Sequence, residues 1–214
     1  MYRSQYSLLH VFIALTLGSA GLFLVAPAHA QKTPDMTVFG IAIGQSLAIP
    51  DCEKVSNSDY VSEICIGISF SRQPDESVDA LGARRAYIVI PRELEQVNAE
   101  QYGLDGGWFN NSVVLINDAP EQIRIGTQGD GNNQEKTMVM LVNKYGKPTN
   151  RSVQSLQNAC GATFSAIHAT WRFKTLTVEF YGRINANKGL IEISTPRFAS
   201  YLAQKENQQV KGKF

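Results

Sequence analysis

The chain has 214 residues, with 20 basic against 19 acidic side chains and 43% apolar residues. A charge balance of +1 without a basic block gives no electrostatic footprint for nucleic acid or an anionic membrane surface, so those partners are excluded first.

Residues 1–30 read as a secretory leader. Arg3 supplies the positive start, Leu8 to Val25 the apolar run, and Ala28-His29-Ala30 the small-x-small pattern that places cleavage before Gln31. A signal anchor is the competing reading, and Gly18, Gly21 and Pro27 speak against it. No cysteine stands directly after the cut and no twin arginine precedes the apolar run, so the expectation is a periplasmic or secreted protein without a lipid anchor. With no second long apolar run, no integral membrane span is expected after cleavage. The predicted organisation is a single α+β domain over 31–204, with two small subdomains meeting near 100–112 as an alternative, and a polar tail over 205–214.

Export brings the three cysteines into an oxidising compartment. Cys52 and Cys65 flank a polar, turn-rich stretch and are predicted to form a disulfide, worth on the order of 3 kcal/mol in the chain-entropy model. Cys160 is left over and is read as a buried, inert thiol beside Gly161.

Along the chain, Val38 to Gly44 reads as a strand ending in a glycine turn, and further strands are predicted over Ile64 to Phe70 and Ala86 to Ile90. Val113 to Ile116 and Gln122 to Ile125 form a predicted hairpin around Asn117-Asp118-Ala119-Pro120, whose residues supply turn chemistry. A helix is predicted from about Gln134 to Tyr145. Met138, Leu141, Val142 and Tyr145 fall on one face, Asn132 with Glu135 looks like a capping box, and Gly146 and Pro148 end the helix. Alternation then marks strands at Ile167 to Phe173, Leu176 to Tyr181 and Gly189 to Ser194, followed by a short helix from Phe198 to Gln204. The fold class is therefore α+β: a mostly antiparallel β-sheet with one main helix packed on one face.

At the level of element order, hairpin, helix and then three or four strands, the chain resembles β-lactamase-inhibitor-like folds and small outer-membrane-assembly lipoproteins. Residues 113 to 195 also resemble uncharacterised secreted bacterial proteins. The likeness lies in Leu141-Val142-Asn143-Lys144-Tyr145-Gly146-Lys147-Pro148, a following glycine, a tryptophan strand at Trp171, and the closing Ile191-Glu192-Ile193-Ser194-Thr195. These motifs are structural and imply a small exported fold, not a chemistry.

Most catalytic templates fail. His168 is the sole histidine after the leader, which rules out multi-histidine metal sites within one chain, and no GxSxG, SxxK or GxxxxGK[ST] occurs. Cys160 with His168 as base is the surviving nucleophile candidate for an envelope hydrolase or transferase. Gly126 to Asn132 leads into the helix and is read as a turn with a cap, not an anion loop, and it lacks the glycine and glutamate a calcium loop needs. Tyr102, Trp108 and Phe109 on the glycine-rich segment 102–111 are the candidate binding residues, because rigid aromatics on such a loop suit an interaction surface. Trp171 reads as core. No cofactor and no metal are implied, and the reading is an exported envelope binding module for a protein partner or small ligand.

Overall fold

The structure, a computed structural model, describes residues 37–52, 56–57, 60–67, 78–105, 111–157, 160–185 and 187–211. The leader, Trp108 and Phe109 lie outside the described residues.

In chain order the elements are β1 (Thr37–Val38), β2 (Ile41–Ala42), β3 (Ser56–Asn57), β4 (Tyr60–Val61), β5 (Cys65–Gly67), β6 (Ala83–Val89), α1 (Arg92–Tyr102), β7 (Ser112–Ile116) and β8 (Ala119–Gln128). They continue with α2 (Gly131–Tyr145), β9 (Asn150–Gln157), β10 (Thr163–Arg172), β11 (Thr177–Tyr181), β12 (Lys188–Ser194) and α3 (Pro196–Lys211). Eight strands form one sheet in the order β5-β6-β7-β8-β12-β11-β10-β9, and every pairing in it is antiparallel. The α+β, mostly antiparallel fold is thus the observed one.

Strand register builds the core in rows. Ala169, Phe180, Ile191 and Ile125 stand opposite one another across four strands, and Trp171, Val178, Ile193, Ile123 and Val113 form the next row. All belong to one buried cluster with Met138, Leu141 and Tyr145 of α2. Residues of opposite parity face the other way. Ala83, Val114 and Ile116 there meet Phe198 and Tyr201 of α3. Helices therefore lie on both sides of the sheet, with α1 and α2 on one and α3 on the other, where a single main helix was expected.

The predicted hairpin is β7–β8, turning on Asn117 and Asp118 alone. Their φ of 51° and 60° match the two-residue turn that suits the twist of paired strands. Pro120 sits within β8 next to a register shift between Val114 and Leu115, an irregularity of the kind that admits proline in a sheet. Val38 to Gly44 is not one strand. It folds back as β1–β2, because Phe39 and Gly40 take φ of 51° and 78°.

In α2, Gln134, Thr137, Met138, Leu141 and Tyr145 are buried, whereas Val142, expected on this stripe, is 37% exposed. The N-cap is Asp130, whose carboxylate accepts the Asn133 N–H at 3.1 Å, in place of the expected Asn132 pairing. Gln134 replaces a strand partner: its amide donates to the Gly129 and Ser165 carbonyls and its oxygen accepts the Ile167 N–H at 2.9 Å. Trp171 is core, as expected, and its Nε1 donates to the Gly146 carbonyl at 2.7 Å.

Helix α3 runs to Lys211, through residues expected to be a polar tail. Thr195 caps it by accepting the Phe198 N–H at 3.2 Å while donating to the buried Glu121, and Pro196 fits the first helical position. Arg197 pairs with Glu121 at 3.2 Å. Cys52 and Cys65 are joined in a disulfide with Cα atoms 4.9 Å apart, and pack with Val89 at the β5 end of the sheet. Among the described residues, no helix is long and apolar enough to cross a membrane.

Candidate functional site

The centre of the sheet presents Ile125, Ile191 and Ile193 toward the two helices, and these form the floor of an apolar cavity of about 140 Å³. On α2, Met140 and Lys144, and beside them Leu141 and Tyr145, line one wall at i, i+4 spacing. The opposite wall is α1 through Asn98 and Tyr102, also i, i+4, with Leu104 beyond the helix end. Val38 and Phe39 of the β1–β2 hairpin close one end. A cavity of roughly this size holds a benzene-sized molecule.

The position of α1 follows from its two ends. Pro91 opens it and Glu93 and Glu95 complement its N-terminal dipole. At Gly103 the chain turns with φ of 67°, and a Cβ there would meet Asn133 at 2.9 Å, so both conformation and space require glycine. Leu104 then bridges to Thr127, and the Tyr102 carbonyl accepts the Thr137 hydroxyl at 2.7 Å. Between these ties α1 has no buried side chain, and Leu94 and Val97 are 46% and 45% exposed.

Among the described residues, the polar side chains in the lining are Asn98, Tyr102, Lys144 and Tyr145. Lys144 Nζ donates to the Thr37 carbonyl and lies 5.7 Å from the centroid of the Tyr145 ring, within cation–π range. One ammonium is thereby fixed where the hairpin meets α2.

A second groove, about 520 Å³, runs between α2 and the start of β9. It is wide, and Arg151 pairs with Glu135 across its lining at 3.5 Å.

The uncovered part of the sheet carries a polar row: Thr170, Glu179, Glu192, Arg124 and Ser112 stand opposite one another from β10 to β7. Arg124 Nε lies 2.8 Å from Glu192, which offsets the two carboxylates facing each other across β11 and β12. The Tyr181 hydroxyl donates to Glu179 at 2.9 Å, and burial, reinforced by that carboxylate, pushes the phenol up to about 12. His168 is half-buried and stacks on Tyr181 with ring centroids 4.8 Å apart. Arg124 with Glu192 and Tyr181 with Glu179 pair along this side, whereas His168 Nε2 is buried and has no hydrogen-bond partner among the described residues.

Of the predicted binding residues, Tyr102 is 37% exposed and borders the cavity, while Trp108 and Phe109 lie outside the described residues. Cys160 is exposed in the β9–β10 turn, correcting the expectation of a buried thiol, because Gly161 at φ of 84° turns the chain outward there. His168 lies five residues along β10 from Thr163, about 17 Å at strand rise. The strand thus holds Cys160 and His168 apart. Gly126 to Gln128 belong to β8, and the Asp130 carboxylate occupies the α2 N-terminus, which leaves no anion loop there. Among the described residues no group of three or more His, Cys, Asp or Glu side chains converges.

Sequence reasoning missed Phe39, Asn98 and the role of Lys144. The available signal for Asn98 was the helix itself, opened by Pro91 and closed by Gly103. Comparison with protein-family models, curated proteins and solved structures finds no match for this chain.

Proposed function

We propose that this chain is an exported binding module of the cell envelope, whose ligand seats between α1 and α2. The observation that carries the reading is the apolar cavity itself, since protein interiors are close-packed and a recess lined by side chains from five segments supports a ligand site there. Tyr102, picked out by its aromatic, glycine-rich setting, borders that recess. The leader pattern of residues 1–30 supports export to the periplasm or beyond, and the Cys52–Cys65 disulfide is compatible with an oxidising compartment. An enzyme built on Cys160 and His168 is disfavoured by their separation along β10.

Native mass spectrometry of the protein recovered after export tests this reading. The expected spectrum shows a chain beginning at Gln31 with a bound mass that Tyr102→Ala weakens and Cys160→Ser leaves in place. A ligand-free mass in every preparation, or a bound mass indifferent to Tyr102→Ala and lost with Cys160→Ser, would contradict it.

A further inference from the structure

We propose that β9 pairs with the β9 of a second copy of this chain, antiparallel and about a two-fold axis at Val153, so that the sheet runs on from one subunit into the next. This interface is independent of the cavity between α1 and α2.

The free edge follows from the ladder. On the β11 side of β10, the Ile167 N–H and the Ser165 carbonyl bond to Gln134, and the Ile167 carbonyl accepts the Gly182 N–H. Alternation then turns the even residues of β10 toward β9, where Phe164, Ala166, His168 and Thr170 stand opposite Leu156, Gln154, Ser152 and Asn150. Arg151, Val153 and Ser155 therefore direct their N–H and carbonyl groups outward. Among the described residues no strand lies beyond them, and β9 is exposed or half-buried along its length.

The two edges of the sheet are treated differently. At β5 the edge is three residues long, the Ile66 N–H donates to the Pro50 carbonyl at 3.0 Å, and Asp51 bridges to Ile66, so the chain itself covers it. Strand β9 has eight residues in unbroken register with β10, and it lacks the proline, lysine or bulge that keeps exposed edges apart. Its one charged side chain, Arg151, is turned to Glu135 of α2 at 3.5 Å. With one edge covered and one open, pairing closes as a dimer and does not propagate as a fibre.

Symmetry and charge select the register. A two-fold axis normal to the sheet keeps every side chain on its own face, so odd residues meet odd residues. With Val153 on the partner's Val153, Arg151 faces the partner's Ser155 and Ser155 the partner's Arg151, each pair exchanging both backbone hydrogen bonds. Val153 is 57% exposed and stands beside Ile167 on the core side of the sheet, so this register buries it against its copy. An axis at Arg151 would instead set two guanidiniums opposite each other.

Sedimentation of the exported protein between roughly 1 μM and 1 mM, with amide exchange at both ends of that range, tests the pairing. Mass is expected to rise from one subunit to two. The Arg151, Val153 and Ser155 amides should slow as it does, while those of Ser152 and Gln154, already bonded to β10, stay unchanged. Val153→Lys sets like charges across the axis and should weaken the dimer at least about tenfold, and Ser155→Pro should weaken it likewise by removing an outward N–H. Val210→Lys, at a comparably exposed valine of α3, should leave it intact. A single-subunit mass at every concentration, a dimer unchanged by both Val153→Lys and Ser155→Pro, or slowing of the odd β9 amides only in a complex with a different polypeptide overturns the proposal.

Discussion

Helices α1 and α2 lie on the same side of the sheet and meet each other, yet they are attached to it in opposite ways. Five side chains of α2 are buried, from Gln134 at its start to Tyr145 at its end, and α1 buries none. The difference is written in composition. The α2 stripe falls on residues that match the isoleucine rows of β8 and β12, whereas α1 leaves Leu94 and Val97 largely exposed and turns Asn98 and Tyr102 to the cavity. A helix that presents a polar side chain to the interior and apolar ones to water breaks the usual pattern, and such breaks are expected where a surface is kept for binding. The contrast assigns stability to α2 and adaptability to α1.

Substitutions can break that contrast in order of size. Leu141→Ala removes a 2%-exposed side chain packed on the isoleucine rows and should cost about 3 kcal/mol, read as a lower denaturant midpoint at unchanged slope. Gln134→Ala leaves the Ile167 N–H and two carbonyls without their partner and should cost roughly 1–3 kcal/mol in the same assay.

On the far side of the sheet, α3 supplies a pH-dependent tie that involves neither cavity helix. The Tyr201 hydroxyl donates to Asp79 at 2.7 Å and, with the Ala83 and Leu81 N–H groups and Lys205, holds that carboxyl at about 2, below its ordinary 3.8. A folded value below the unfolded one stabilises the fold fully above about pH 4, and the contribution disappears as pH falls toward 2. Asp79→Asn should therefore flatten the acid limb of a stability–pH curve between these limits and leave ligand binding at pH 7 unchanged. Smallest of all, Val97→Ala on exposed α1 should shift stability by no more than about 0.5 kcal/mol, and a loss near that of Leu141→Ala would abolish the distinction between the helices.

What could be read from sequence follows the same division. The α2 stripe, the β7–β8 hairpin, the core position of Trp171 and the Cys52–Cys65 bridge were legible because each depends on residues close in the chain or on simple periodicity. Strand β9 was not, because Asn150–Gln157 pairs only with β10 and lies at the sheet edge. Its apolar residues, Val153 and Leu156, stand three apart and give no alternation. Helix α1 escaped for a related reason, since a helix with no buried side chain leaves no apolar stripe to find. The N-cap of α2 was misplaced by two residues because Asp130 and Asn132 are both capable caps and only the observed Asn133 N–H contact decides between them. The candidate site was legible only at Tyr102. Its other walls come from β1, α2, β8 and β12, which tertiary packing brings together.

Amide hydrogen exchange over α1 and α2 tests the central claim most directly. The account predicts that α1 exchanges on the order of 100-fold faster than α2, because α1 buries no side chain and α2 buries five. Equal protection of the two helices would contradict it.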